Sequence, residues 1–183
     1  VVKKDARARS HVAGKPFLEY LIRQVRDAGC DRVLLLLGYL PDIIRNYFGD
    51  GSRFGIPISY TETPISFETG ARLAHAVREL DDCFLLLYCD NYLPMDLLRL
   101  WEHFEQRNAT AQVTVYRNSD AYTKDNLRVD DDGMVTCYDR SRTAAQLSGV
   151  DVGYALIRRS ALALLSDDNV SFEGTVYPAL VRS

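Results

Sequence analysis

The stretch FLLLYCDNYLPM (84–95) carries the residue most open to a chemical reading. Five apolar or aromatic residues, Phe84 to Tyr88, lead through Cys89 to Asp90, and Asn91 follows. Open α/β sheets bind ligands outside the carboxyl ends of their strands. A carboxylate at such an end is suited to Mg²⁺, which takes hard oxygen ligands, keeps several waters and bridges phosphate oxygens. The same residue type also suits a loop aspartate that caps the helix expected near Met95 or simply faces water, and residue types alone leave both readings open. These residues contain neither G-x-G-x-x-G nor G-x-x-x-x-G-K-[ST], the two glycine-rich patterns that cradle phosphates through backbone N–H groups.

Composition narrows the class. The 183 residues are 47% hydrophobic and 26% charged, with a formal net charge of −3, which suits one globular domain with a sizeable core. No Lys/Arg block is longer than the pair Lys3-Lys4, which argues against a nucleic-acid partner while leaving local cations for small anions. Cys30, Cys83, Cys89 and Cys137 have no C-x-x-C spacing, against a zinc site or a disulfide framework. Cys83 and Cys89 bracket an apolar run and read as small core residues. A reducing, cytoplasmic compartment is expected. No apolar stretch approaches the ~18–20 residues that span a bilayer, and no signal peptide is visible. The chain begins at Val1 and stops at Ser183 inside a helical pattern, so we expect a longer molecule.

The elements that must position Asp90 follow from periodicity. Phe17, Leu18, Leu21, Ile22, Val25 and Ala28 recur at helical spacing before Gly29. RVLLLLG (32–38) reads as a strand buried on both faces, hence a parallel sheet. Pro41 opens a short helix to Phe48, GDGSRFG (49–55) is a loop, and IPISYTE (56–62) is extended. A helix over 69–79 should turn Leu73, Ala76, Val77 and Leu80 inward, and one over 95–106 should bury Leu97, Leu98, Trp101 and Phe104. AQVTVYR (111–117) alternates as a strand. NLRVDDDGMVTCYD (126–139) has two short arms around Asp-Asp-Gly, a hairpin signal. GVDVGYALI (149–157) is a late strand, Ser160 is expected to cap a short helix and Ser171 to open the last one. The sum is an α/β sandwich with a mainly parallel sheet and a late inserted hairpin. Its first clear element is a helix, which in a doubly wound fold is normally fed by a strand; without that strand the sheet lacks a central member.

GKPFLEYLIRQVRDAGCDRVLLLLGYLPDIIRNYFGDGSRFGIPISY (14–60) closely resembles the sugar-phosphate nucleotidyltransferases, whose pattern is G-[KR]-P-[FM]-L-E-Y, a helix, an apolar strand, G-Y, and Y-F-G-D-G-S-x-[FW]-G. VDVGYALI (150–157) resembles their later N-A-G-[IY] strand. GYLPDII, FETGARL, YCDN and YDRSR look most like the branch near heptose- and mannose-1-phosphate guanylyltransferases. The resemblance implies a Rossmann-like three-layer sandwich. It also implies transfer of a nucleotide from a triphosphate to a sugar 1-phosphate, with Mg²⁺ and release of pyrophosphate. The sugar phosphate already carries its nucleophilic oxygen, so catalysis reduces to alignment and charge neutralisation. No Ser-His-Asp or Cys-His pattern is then needed.

The resemblance also implies roles. Asp90 falls on the metal-binding aspartate. Arg7 falls where the family has the phosphate-contacting lysine of P-K-P, and Lys15 is the G-[KR]-P cation. Glu68, Thr69 and Gly70 align with the nucleotide loop L-G-T-[AG]-G-A-L; Glu68 replaces a glycine and suits the guanine N1–H and amino group, and Arg72 replaces a small residue. Asp139 and Arg140 resemble an E-K pair holding sugar hydroxyls and sugar phosphate. Asp151 and Gly153 lie in the N-A-G position, and Asn126 near a usual Tyr-Gly. The family's G-G-x-G-T-R-L loop would lie before Val1, and its second metal-binding aspartate beyond Ser183. The partners implied are a nucleoside triphosphate, with GTP favoured, and a sugar 1-phosphate, with room for a homo-oligomer or fusion to further domains. Two readings stand beside the enzyme: a non-catalytic nucleotide or sugar-phosphate sensor or assembly domain of the same fold, and a glycosyltransferase of the related nucleotide-sugar-binding fold. The glycosyltransferase usually carries D-x-D where this chain has Asp90-Asn91-Tyr92.

Overall fold

A computed structural model describes residues 11–183; Arg7 lies outside them. The described chain opens with a short antiparallel pair, β1 (His11–Val12) and β2 (Lys15–Pro16). Then follow α1 (Phe17–Asp27), β3 (Val33–Leu37), α2 (Pro41–Phe48), β4 (Ile58–Glu62), α3 (Thr69–His75), β5 (Cys83–Leu87) and α4 (Leu97–Arg107). The chain ends with β6 (Ala111–Tyr116), the hairpin β7 (Leu127–Val129) and β8 (Val135–Tyr138), β9 (Val150–Arg158) and α5 (Phe172–Arg182).

The expected three layers are present. Odd-numbered residues of the strands, Leu35, Leu37, Leu85 and Leu87, pack with Leu18, Leu21, Ile22 and Val25 of α1, Ile44 and Phe48 of α2, and Leu97 of α4. Even-numbered residues, Leu34, Leu36, Phe84 and Leu86, pack with Leu73 of α3 and with Phe172, Val176 and Tyr177 of α5. This alternation is the strand period of two applied to a layer covered on both faces. Burying a side chain such as the fully buried Phe172 is worth about 1.5–3 kcal/mol.

The sheet layer is mixed and comes in two parts. β3 pairs with β4 in parallel. β9 lies antiparallel between β5 and β6, so β5 and β6 run the same way. β3 and β5 are not hydrogen-bonded to each other, although Arg32, just before β3, forms an ion pair of 2.7 Å with Asp81, just before β5. Between the two strands lies a cavity of about 450 Å³ lined by Leu34, Leu36, Phe84, Leu86, Leu98 and Trp101, among others.

Several local expectations are corrected. The helix expected over 69–79 stops at His75 and continues as a 3₁₀ turn, Val77–Glu79. Leu98 and Trp101 are not core: they are 60% and 41% exposed, whereas Phe104 is fully buried. The reason is the cavity, which leaves that flank of α4 without a packing partner. Ser160 caps nothing; it lies inside the 3₁₀ segment Arg159–Leu164, whose N-cap residue is Arg158. Cys89 is buried as expected, while Cys83 is half-buried.

Candidate active site

Asp90 is exposed in the turn that follows β5. It does not cap α4. That task belongs to Asp96, whose carboxylate accepts the Arg99 N–H at 3.0 Å, the N-cap bond that satisfies an orphan donor of the first turn. Asn91 fixes the turn: its side-chain amide donates to the Val152 carbonyl at 3.0 Å, and Tyr88 N–H donates to the Gly153 carbonyl at 3.3 Å. Asp90 therefore shares one rim with residues 151–153 of β9. Gly153 has φ +81°, and a Cβ there would stand 3.2 Å from Cδ2 of Tyr88. Only glycine adopts that backbone at so close an approach without strain.

Behind the rim lies a buried polar cluster. The Asp151 carboxylate accepts Tyr138 O–H at 2.9 Å and Gly153 N–H at 2.9 Å. Burial pushes its carboxyl above the ordinary value, against the lowering effect of those two bonds. Glu173, near the start of α5, accepts Thr69 O–H at 3.0 Å and Ser171 O–H at 2.9 Å. Burial raises the Glu173 carboxyl, but hydrogen bonds, led by its own backbone N–H and the Ser171 hydroxyl, outweigh it and leave it below the ordinary value. The buried Tyr88 hydroxyl stands beside this acid and makes no hydrogen bond of good geometry among the described residues. Burial, with the charge of Glu173 close by, raises Tyr88 well above the usual phenol value.

Several of the residues whose roles the resemblance implies also hold the fold together. The Thr69 hydroxyl is buried, donating to Glu173 and accepting from Phe172 N–H at 2.9 Å. A Cβ on Gly70 would lie 2.6 Å from the Val170 carbonyl oxygen. Both residues therefore take part in the α3–α5 contact. Asn126 is buried; its side-chain oxygen accepts Asp151 N–H at 2.8 Å, and its carbonyl accepts Asp139 N–H at 2.8 Å, so it ties the hairpin to β9. The Asp139 carboxylate is consumed by its own loop, taking the N–H groups of Ser141, Thr143 and Ala144 at 2.9, 2.8 and 2.8 Å. These bonds and the Ser141 hydroxyl hold it far below the usual carboxylate range.

Other candidates stay accessible. Arg140 is exposed, with its Cδ 3.8 Å from where a Cβ on Gly174 would lie, near the start of α5. Lys15 is half-exposed and pairs with Glu19 at 3.4 Å. Burial raises Glu19, and hydrogen bonds from Tyr47, Arg23 and Lys15 bring it below the ordinary value. Glu68 is half-buried at the N-cap of α3 but its side chain makes no capping bond. The residues that sequence reasoning passed over are Glu173, Tyr88 and Tyr138. A single chain marks none of them; Ser171 followed by Glu173 reads only as a helix start.

Comparison with known proteins shows the family and the fold. Residues 4–165 match the family described as MobA-like NTP transferase domain. Mannose-1-phosphate guanylyltransferase of Mycobacterium tuberculosis is 25% identical over 171 residues, 92% of this chain and 48% of that protein. The low-salt glycan biosynthesis nucleotidyltransferase Agl11 of Haloferax volcanii is 31% identical over 130 residues, 68% of this chain and 36% of that protein. The chain thus spans about half or less of the length of these relatives. HddC from Yersinia pseudotuberculosis superposes with a TM-score of 0.76 at 20% identity, covering 92% of this chain and 74% of that one, and shares the fold.

Proposed function

The chain belongs to the MobA-like NTP transferase domain family, and we propose that it forms the site at which a nucleoside triphosphate is joined to a sugar 1-phosphate. The triphosphate we favour is GTP and the sugar is of heptose or mannose type. The guanylyltransferase named among its relatives supports that choice of base, and Glu68 at the N-cap of α3 has the carboxylate chemistry suited to the donors of a guanine edge. The observation that carries the reading is Asp90, exposed in the turn after β5 and held on one rim with Asp151–Gly153 through Asn91.

In the reaction an anionic oxygen of the sugar phosphate attacks the α-phosphorus. The bond from that phosphorus to the oxygen bridging the α- and β-phosphates breaks, and pyrophosphate leaves with the electron pair. No proton needs removing from the nucleophile, so no base is required. In this reading Arg140, exposed near the start of α5, holds the sugar phosphate, and Lys15 of β2 contacts the triphosphate. Among the described residues no group of three or more His, Cys, Asp or Glu could cage a metal. One carboxylate completed by waters and phosphates is a donor set that fits Mg²⁺, and Asp90 is the residue that would hold it. Mg²⁺, when bound, offsets charge on the phosphates.

Pyrophosphate release by the full-length protein, with GTP, CTP, UTP, ATP and dTTP against heptose, mannose and glucose 1-phosphates, tests the reading. Asp90→Asn should keep its melting temperature and lose Mg²⁺-dependent turnover by at least about 100-fold. Turnover unchanged in the variant removes Asp90 from the site. Nucleotide binding without turnover by any pair replaces the enzyme with a non-catalytic binding domain.

A further inference from the structure

Arg72 of α3 is 5% exposed, and all five N–H donors of its guanidinium have acceptors. Nε donates to the Phe67 carbonyl at 3.1 Å. Nη1 donates to the Leu37 carbonyl at 3.1 Å and makes a short bond to the Thr63 hydroxyl. Nη2 donates to the carbonyls of Pro64 and Ile65 at 3.2 and 3.3 Å. Three of these acceptors lie in one loop, 64–67, and a fourth is the last residue of β3. Gly38 makes the space: a Cβ there would stand 2.4 Å from Nη2.

The loop is therefore held by its backbone from within while its side chains face out. Pro64 is exposed, and Ile65 is 51% exposed. Two neighbouring apolar side chains are thus held in water just past the carboxyl end of β4, Ile65 three residues before Glu68. That end of the layer is the rim on which Asp90 lies. A planar nucleobase is the ligand class that gains from such a surface, since its faces are apolar and its edge would lie toward Glu68.

We propose that Arg72 is a positioning residue that fixes Pro64 and Ile65 as the wall against which the base of the triphosphate rests; this rests on the function proposed above. Lysine cannot substitute, because an ammonium offers three donors on a flexible stem instead of a five-donor fork.

The test uses Arg72→Lys, Gly38→Ala and Ile65→Ser in the full-length protein, with steady-state kinetics and amide hydrogen exchange. The reporting amides are Thr63 and Phe67, which bond to the Leu37 and Pro64 carbonyls that Arg72 also holds. Arg72→Lys and Gly38→Ala should speed exchange at both amides and raise KM for the triphosphate at least tenfold. Their kcat and their KM for the sugar phosphate should stay within threefold. Ile65→Ser should raise the same KM three- to tenfold with exchange unchanged. A purely structural role would instead lower kcat or the active fraction at constant KM, and that result overturns the proposal. So does an unchanged KM in Arg72→Lys when the wild type turns over. A wild type that neither binds nor turns over any triphosphate overturns the proposed function and this inference together, and the exchange contrast then reports separately on whether Arg72 holds the loop.

Discussion

The side-chain amide of Asn91 reaches across to β9 and donates to the Val152 carbonyl at 3.0 Å. One exposed bond thus joins the residue after Asp90 to the strand that carries Asp151 and Gly153. Asn91→Ala should lower stability by about 0.5–1.5 kcal/mol, the usual net worth of such a bond. Its larger effect should fall on the metal: turnover reduced about tenfold at limiting Mg²⁺ and largely restored at saturating Mg²⁺, since a loosened turn pays an ordering cost that mass action recovers. A Mg²⁺ titration of turnover beside urea denaturation checks this. An unchanged half-saturation would mean that the turn holds itself.

Glu173 gives a pH dependence with a definite sign. Its carboxyl lies below the ordinary value of 4.5 in the fold, so the unfolded chain binds the proton more readily. The stability it supplies is fully present above pH 4.5 and is lost as pH falls through its folded value. Glu173→Gln should therefore be less stable than the wild type by about 1–3 kcal/mol near neutrality. The gap should close progressively below pH 4.5. Urea midpoints between pH 3 and pH 7 measure it; a gap independent of pH would show that shape, not charge, holds Thr69 and Ser171.

Asp139 and Arg140 are adjacent in sequence but separate in task. Asp139→Ala removes the acceptor of three backbone N–H groups and should act on the fold. Loop 139–144 should become more open to proteolysis, with little change in KM for the sugar phosphate once the folded fraction is allowed for. Arg140→Ala should leave the melting temperature within a degree or two and raise KM for the sugar phosphate by about ten- to a hundredfold, the worth of a charge-assisted contact. Limited proteolysis and initial rates distinguish them, and the reverse pattern would return Asp139 to the ligand.

Much of the architecture was legible in the residues because it obeys simple periods. The α1 stripe, the Pro41 start of α2, the VLLLL run of β3 and the Asp-Gly turn of the hairpin each carry a local signal, and each element formed where that signal lay. The site was less legible. Asp90, Asp139 and Asp151 are the same side chain in sequence. What separates them is whether nearby N–H groups are left over, and that depends on loop geometry. Asp139 is saturated by its own turn, Asp151 is held by Tyr138 from another strand, and Asp90 stands exposed in the turn after β5 while Asp96 caps α4. Arg72 looked like a departure from a small-residue position; only the folded chain shows four carbonyls and a hydroxyl gathered around it. Leu98 and Trp101 were misjudged because helical spacing tells which residues share a face, not whether another element covers that face.

The division of the sheet between β3 and β5 has a consequence for how the molecule loosens. Among the described residues no hydrogen-bond ladder crosses that line, and contacts across it include the Arg32–Asp81 ion pair. Cooperativity carried by packing alone is weaker than cooperativity carried by a continuous sheet. For the described residues the expected outcome is faster amide exchange in β3 and β4 than in β9; equal protection on both sides would show that packing alone couples them.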